Sequence, residues 1–429
     1  MTGNRKIRGM RSMTDLMLYI DPGTGSMLFS IIIGITGVVI FTGRALWIRF
    51  KFLITGGRSK DKAADTIPIC IFSEGKHYHA VFRPICDEFE RRQKDITYLT
   101  ADPDDPALDL DYKYVHTKFI GEGNRAISKM NLINACVVLS TTPGLDVYQW
   151  KRSKGAKWYV HIPHMPGDVT RYRMFGLDFY DAVMFSGKYQ EAQIRKLEDL
   201  RGLPAKEAVY VGIPYMDSML ERLRALPQNS EKKKDPVILL APSWGKSGIL
   251  SIYGSAFIDS LIKTGYRIVI RPHPQSFFSE KDLIDELMNK YPESDMLKWN
   301  KDPDNFDVLN EADILISDFS GVLFDFSLVF NKPVIYTEPH YDKSPYDCFW
   351  DDEELWTFKV LPKIGRQLNK DNFSSIASLV NECLTGSDAG KLACERDKAR
   401  EETWCFMGKG ASKAADYLIA KQKELSDSL

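Results

Sequence analysis

Two series of short β-rich apolar runs, each alternating with longer amphipathic stretches, constrain this chain more than any other feature. The first series is 68–72 (PICIF), 96–100 (ITYLT), 135–140 (ACVVLS), 157–161 (KWYVH), 181–185 (DAVMF) and 208–211 (AVYV). The second is 237–241 (VILLA), 267–271 (RIVIR), 313–316 (DILI) and 333–337 (PVIYT), with helical patterns at 252–264, 279–290 and 320–330. Such runs between helical periods predict parallel strands covered on both faces by helices. Residues 226–236 (LPQNSEKKKDP) are polar and bracketed by prolines, which places an interdomain linker between the series. The expected fold is therefore α/β, with two Rossmann-like domains, at 65–225 and 236–390, facing a cleft. Residues 391–429 form a helical tail rich in Ala, Lys and Glu.

At 429 residues and 44% hydrophobic content, the chain can fill two such cores and carry an appendage. Lys+Arg 57 against Asp+Glu 58 leaves no global basic field, so no nucleic-acid partner is expected, and any phosphate-binding charge must be local. The seven cysteines are scattered, odd in number and free of any CxxC pair, which argues against a disulfide framework and a zinc site.

The appendage is amino-terminal. Residues 27–43 (MLFSIIIGITGVVIFTG) are uncharged, and apolar character resumes after Arg44 through Ile48. At about 1.5 Å per residue, 27–48 is long enough to cross a hydrocarbon core of about 30 Å, so residues 1–60 are expected to be a single-pass membrane anchor. No small-residue cleavage site follows, and Trp47, Arg49 and Lys51 suit an interfacial flank rather than a signal peptide. Arg5, Lys6, Arg8 and Arg11 make the other flank basic too, so charge alone does not orient the span.

In open α/β sheets ligands bind beyond the carboxyl ends of strands, which singles out four loops. Ala241-Pro242-Ser243-Trp244-Gly245-Lys246-Ser247-Gly248 offers small residues and a cation; its Gly245-Lys246-Ser247 is not a Walker loop, since Leu240 stands where the leading glycine belongs. Arg271-Pro272-His273-Pro274 holds a guanidinium and an imidazole on a stiffened loop, which makes His273 a candidate catalytic or diphosphate-contacting group. Ser317-Asp318-Phe319-Ser320-Gly321 runs into a helical pattern, where backbone N–H groups favour phosphate and Asp325 would lie within reach of ribose hydroxyls. Its plainer reading makes Ser317 or Asp318 an N-cap. In the first series, His161-Ile162-Pro163-His164 offers two imidazoles, either suited to act as a base on an acceptor hydroxyl, with Arg171 and Arg173 nearby to neutralise an anion. Asp109-Leu110-Asp111 and Asp302-Pro303-Asp304 are weak DxD matches, and no essential metal is expected. His77 and His79 fall in one helical pattern, two apart and so on different faces.

Taken in order, Gly212-Ile213-Pro214-Tyr215-Met216-Asp217, Ala241-Pro242-Ser243-Trp244, Arg271-Pro272-His273-Pro274 and Ile316-Ser317-Asp318-Phe319-Ser320 with Phe324-Asp325 resemble the motifs of the CDP-glycerol glycerophosphotransferases of teichoic-acid synthesis. The resemblance spans most of 68–385. It implies a GT-B architecture, a CDP-activated polyol donor, a lipid-linked polymer acceptor, no cofactor, and catalytic domains on the cytoplasmic side of the membrane. Ser243, Lys246, Arg271, His273, Ser320, Gly321 and Asp325 would bind the donor. Of these, His273 and Ser320 would hold its diphosphate and Asp325 its ribose. His161 would be the acceptor-side base, but this chain has His161-Ile162-Pro163-His164 where the family has His-Gly-Thr-Pro, so either histidine takes that role or the acceptor differs. Ser320-Gly321 in place of Ser-Ser is also similar to nucleotide-sugar epimerases. The competing expectations are a GT-B glycosyltransferase using a nucleotide sugar and a non-catalytic membrane scaffold.

Overall fold

Runs of Val, Ile, Leu and Phe with no polar alternation must be buried on both faces, and the strands they form are. In the computed structural model, which describes residues 42–43, 66–227, 235–302, 304–337 and 341–427, the first series builds a seven-stranded parallel sheet. Its strands are β1 (Ile67–Ser73), β2 (Ile96–Thr100), β3 (Val115–Phe119), β4 (Asn134–Ser140), β5 (Gly155–His161), β6 (Ala182–Phe185) and β7 (Glu207–Tyr210), in the order β3-β2-β1-β4-β5-β6-β7. The second series gives β8 (Val237–Leu240), β9 (Arg267–Ile270), β10 (Leu297–Trp299), β11 (Ile314–Ser317), β12 (Val334–Thr337) and β13 (Gly365–Leu368), ordered β10-β9-β8-β11-β12-β13. Each sheet reverses direction beside its first strand, between β1 and β4 and between β8 and β11, and such a switch point opens a crevice at the carboxyl edge.

Each sheet carries one apolar cluster per face. Phe82, Phe89 and Tyr98 sit on one face of the first sheet, while Phe72, Tyr159 and Phe185 lie on the other. Leu239, Leu315 and Val334 on the second sheet face one cluster, and Ile238, Ile316 and Ile335 the other. Three strands absent from the sequence reading, β3, β10 and β13, are added at sheet edges.

Several helical patterns are realised differently from expectation. The 252–264 pattern becomes Ile249–Ile262, interrupted where Gly254 takes a positive φ of 48°, and 279–290 divides into Ser276–Ser279 and Lys281–Lys290. The 320–330 pattern is a single α-turn, Val322–Phe324, running into a π-turn at Asp325–Val329. The tail forms two helices, Ala389–Thr403 and Gly410–Asp427, the second of which returns to the first sheet and buries Ala414, Ala415 and Leu418 in its core. Asp217, after β7, fixes that return by accepting from Trp404 Nε1 at 2.8 Å, Gly408 N at 2.6 Å and Gly410 N at 2.8 Å.

The expected span at 27–48 lies outside the described residues except for Thr42 and Gly43. Among the described residues no helix is long and apolar enough to cross a membrane.

Candidate functional site

The loops leaving β8 and β11 flank the switch point of the second sheet and are clipped to each other. Asp318, buried directly after β11, accepts from Ser243 N at 3.0 Å, Ile249 N at 3.2 Å and its neighbour Phe319 N at 2.7 Å. Ser317 Oγ donates to the Ala241 carbonyl at 2.5 Å. The N-cap reading of Ser317 and Asp318 is therefore corrected: both spend their side chains on the neighbouring strand's loop. That loop closes tightly, since a Cβ at Gly248 would lie 2.3 Å from the Ser243 carbonyl oxygen. Ser243 is left partly exposed and Lys246 exposed at the rim.

Beyond β9, Arg271 donates to the side-chain carbonyl of Asn300. His273 Nδ1 accepts from Gln275 N at 3.1 Å, and the Trp244 ring stands 6.4 Å away. Burial, then repulsion from His77 and Arg271, pulls the His273 pKa down to about 4. The imidazole is thus neutral at pH 7, and with Nδ1 occupied as acceptor its proton resides on Nε2, which makes it a donor suited to a phosphate oxygen.

Ser320 and Gly321 begin the helical turn after β11, and Gly321 is pressed by the first half: a Cβ there would fall 2.9 Å from Met165 Sδ. One turn on, Asp325 is partly buried and accepts from Tyr215 OH at 2.7 Å. Burial raises its pKa to about 6, only partly offset by that bond. A carboxylate holding one hydroxyl donor is chemically suited to accept from others.

The first sheet presents its own strand ends opposite. The two histidines of the 161–164 loop are placed differently. His161, the last residue of β5, is 0% exposed, enclosed by the rings of Tyr172 and Tyr180 with centroids 5.1 Å away, and Nε2 lies 3.1 Å from Tyr172 OH. Burial holds its pKa well below the ordinary value. His164 is partly exposed, with Nδ1 3.4 Å from Thr141 Oγ1 just past β4. Its pKa falls to about 4 through burial, then through the charges of His77, Arg171 and His273. Histidines from both halves are therefore near enough to influence one another's protonation. His77 sits in a 3-10 turn, Lys76–Tyr78, ahead of the helix His79–Arg92, which corrects the single-helix reading of His77 and His79. With Glu74 it forms the β1 strand end, which the strand-end rule would have found had the run after Phe72 not been read as helix.

Buried carboxylates tie the halves together. Asp168 accepts from Trp356 N at 2.7 Å and from Thr357 N and Oγ1 at 2.9 and 2.6 Å, at the start of the helix Trp356–Ile364, whose first-turn N–H groups lack intrahelical acceptors and whose dipole favours an anion. Asp347 accepts from Phe175 N at 2.7 Å and Gly176 N at 3.2 Å, and pairs with Arg201.

With this geometry in place, comparison with known proteins is informative. Residues 177–348 match the family model described as CDP-Glycerol:Poly(glycerophosphate) glycerophosphotransferase. Over this segment the chain is similar to that family. The matched segment takes in the Asp217 junction, the Ser243 and His273 loops, and Ser320 through Asp325, but neither His161 nor His164. A curated relative, the teichoic acid glycerol-phosphate primase of Bacillus subtilis (strain 168), is 28% identical over 139 residues, which is 32% of this chain and 34% of the primase. The aligned region thus spans about a third of that relative's length. Among solved structures, the wall teichoic acid polymerase TagF soaked with CDPG superposes with TM-score 0.52 at 14% identity, covering 85% of this chain and 91% of that one. A UDP-N-acetylglucosamine 2-epimerase-like protein from Listeria monocytogenes gives 0.55 at 11% identity, covering 84% and 97%. The Neisseria meningitidis UDP-GlcNAc 2-epimerase gives 0.54 at 12%, covering 82% and 99%. At such identities these likenesses establish the α/β, GT-B-like fold with parallel sheets. The similarity to the glycerophosphotransferase model thus lies chiefly in the second half of the chain.

Proposed function

We propose that this chain is a member of the CDP-glycerol glycerophosphotransferase family and moves a glycerophosphate or similar polyol-phosphate unit from a CDP-activated donor to a hydroxyl of a lipid-linked cell-envelope polymer or its precursor. The acceptor oxygen attacks the donor's β-phosphorus, the bond from that phosphorus to the bridging oxygen breaks, and CMP leaves as a phosphodiester forms. The observation that carries this reading is the convergence, at one switch point, of the family-matching loops: Ser243 and Lys246, Arg271 and His273, Ser320 and Gly321, and Asp325. In this assignment His273 Nε2, Ser320 and the N–H groups at the helical start take the diphosphate, Lys246 and Arg271 supply positive charge, and Asp325 takes the ribose hydroxyls. His164, unprotonated at neutral pH and open to the cleft, receives the acceptor proton, while His161 supports the loop beneath it.

Residues 27–48 anchor the enzyme with its domains on the cytoplasmic side, where a CDP-activated donor is made and where a lipid-linked acceptor is confined to the same surface. The test is donor turnover by the purified full chain in detergent, offering CDP-glycerol, CDP-ribitol and nucleotide sugars with a membrane extract as acceptor, beside His273→Ala. CMP release from a CDP-polyol that disappears in the variant supports phosphotransfer. UDP release from a sugar donor replaces it with a glycosyltransferase, and binding without turnover with a scaffold.

A further inference from the structure

One cation in the cleft belongs to the first half but is built into the second. Arg171 ends the short turn Val169–Arg171, which follows Asp168 and its bonds to Trp356 and Thr357. That anchorage delivers the side chain across the cleft, where Nη1 donates to the Phe319 carbonyl at 3.3 Å. The guanidinium carbon lies 5.5 Å from the Phe319 ring centroid and 5.3 Å from that of Tyr341. Nε is buried without a hydrogen-bond partner, and no carboxylate among the described residues forms a salt bridge with the group. A partly buried guanidinium with a buried, unfilled donor is costly unless an anion completes it.

The position says which anion. Phe319 directly precedes Ser320 and Gly321, and Arg171 is close enough for its charge to help depress the pKa of His164. The guanidinium therefore touches the donor-side turn and belongs to the same half as the imidazole assigned to the acceptor. We propose that Arg171 contacts the transferred β-phosphate of the nucleoside diphosphate donor, neutralising its non-bridging oxygens as the acceptor hydroxyl attacks. The assignment rests on the CDP-donor reading above. It makes the first half a contributor to phosphoryl stabilisation and not only to acceptor binding, so the reacting group is gripped only when both halves are in place.

The test compares CDP with CMP, which differ by the β-phosphate, using calorimetric binding to the full-length wild type, Arg171→Gln and Arg171→Lys, with thermal unfolding as the folding control. Arg171→Gln is expected to weaken CDP by roughly ten- to hundredfold, the worth of a charge-assisted hydrogen bond, while CMP affinity stays within about threefold. Donor turnover should fall by at least about a hundredfold, with partial recovery on adding free guanidinium to the Gln variant, and Arg171→Lys should lie between. Equal weakening of CDP and CMP, or no weakening of either, overturns the assignment while leaving the donor reading intact. A wild type that binds neither cytidine nucleotide overturns the donor reading and this assignment with it.

Discussion

Replacing Asp325 by Asn should yield a protein that is more stable and less active. The carboxyl group titrates near 3.8 in an unfolded chain and near 6 when folded, because burial disfavours its charge more than Tyr215 relieves it. A difference of about two pKa units corresponds to roughly 3 kcal/mol. The sign follows from proton counting. Between the two values the folded state holds the proton and the unfolded state has lost it, so the free energy of unfolding declines as pH rises through this window and levels off above about pH 7. Asn keeps an oxygen to accept from Tyr215 and has no charge to bury. Its advantage over the wild type should therefore be small near pH 4, grow through about pH 6 and reach up to about 3 kcal/mol at neutral pH, read from urea unfolding at several pH values. Losing a charged acceptor for ribose hydroxyls should raise the KM for a CDP-polyol by roughly ten- to hundredfold. An Asn advantage that is the same at every pH, or a variant less stable at neutral pH, would refute the claim that this carboxylate is held against its solvation preference.

Asp168→Ala should cost about 3–5 kcal/mol in urea unfolding, because the buried N–H groups of Trp356 and Thr357 lose their acceptor; a loss under about 1 kcal/mol would mean that water replaces the carboxylate. The two cleft histidines should separate by assay. His161→Ala opens a cavity among Tyr172 and Tyr180 and should lower stability by about 2–4 kcal/mol with modest change in turnover per folded molecule, whereas His164→Ala should leave the melting temperature near wild type and cut turnover by about a hundredfold or more. The opposite pattern would exchange their roles.

Much of the architecture was legible because central parallel strands write themselves as unbroken apolar runs. The strands that escaped, Val115–Phe119, Leu297–Trp299 and Gly365–Leu368, are all at sheet edges, where one side has no neighbour to demand burial, and so they carry His116, Lys118, Lys298, Arg366 and Gln367. Helix interruptions such as the π-turn at Asp325–Val329 left no trace in the periodicity, since the side chains on the buried face are apolar in either register. At the site, residue type pointed to the loops but not to the division of labour within them. Asp318 reads as a helix cap until its partners are found on another strand's loop, and His161 and His164 are indistinguishable until burial separates them. Glu74 and His77 were hidden by a turn that reads as the first turn of the following helix.

The return of the last helix to the first sheet also sets a schedule for synthesis. Ala414, Ala415 and Leu418 cover apolar residues of the half that leaves the ribosome first, and Asp416 and Tyr417 pair with Arg92 and Trp158 of that half. Vectorial, half-by-half folding is thereby incomplete: the earlier-made half keeps an uncovered apolar face while the later half is translated, and it closes only once residues 410–427 have been made. A premature stop ahead of residue 410 would thus strike the half of the protein whose own coding sequence is intact.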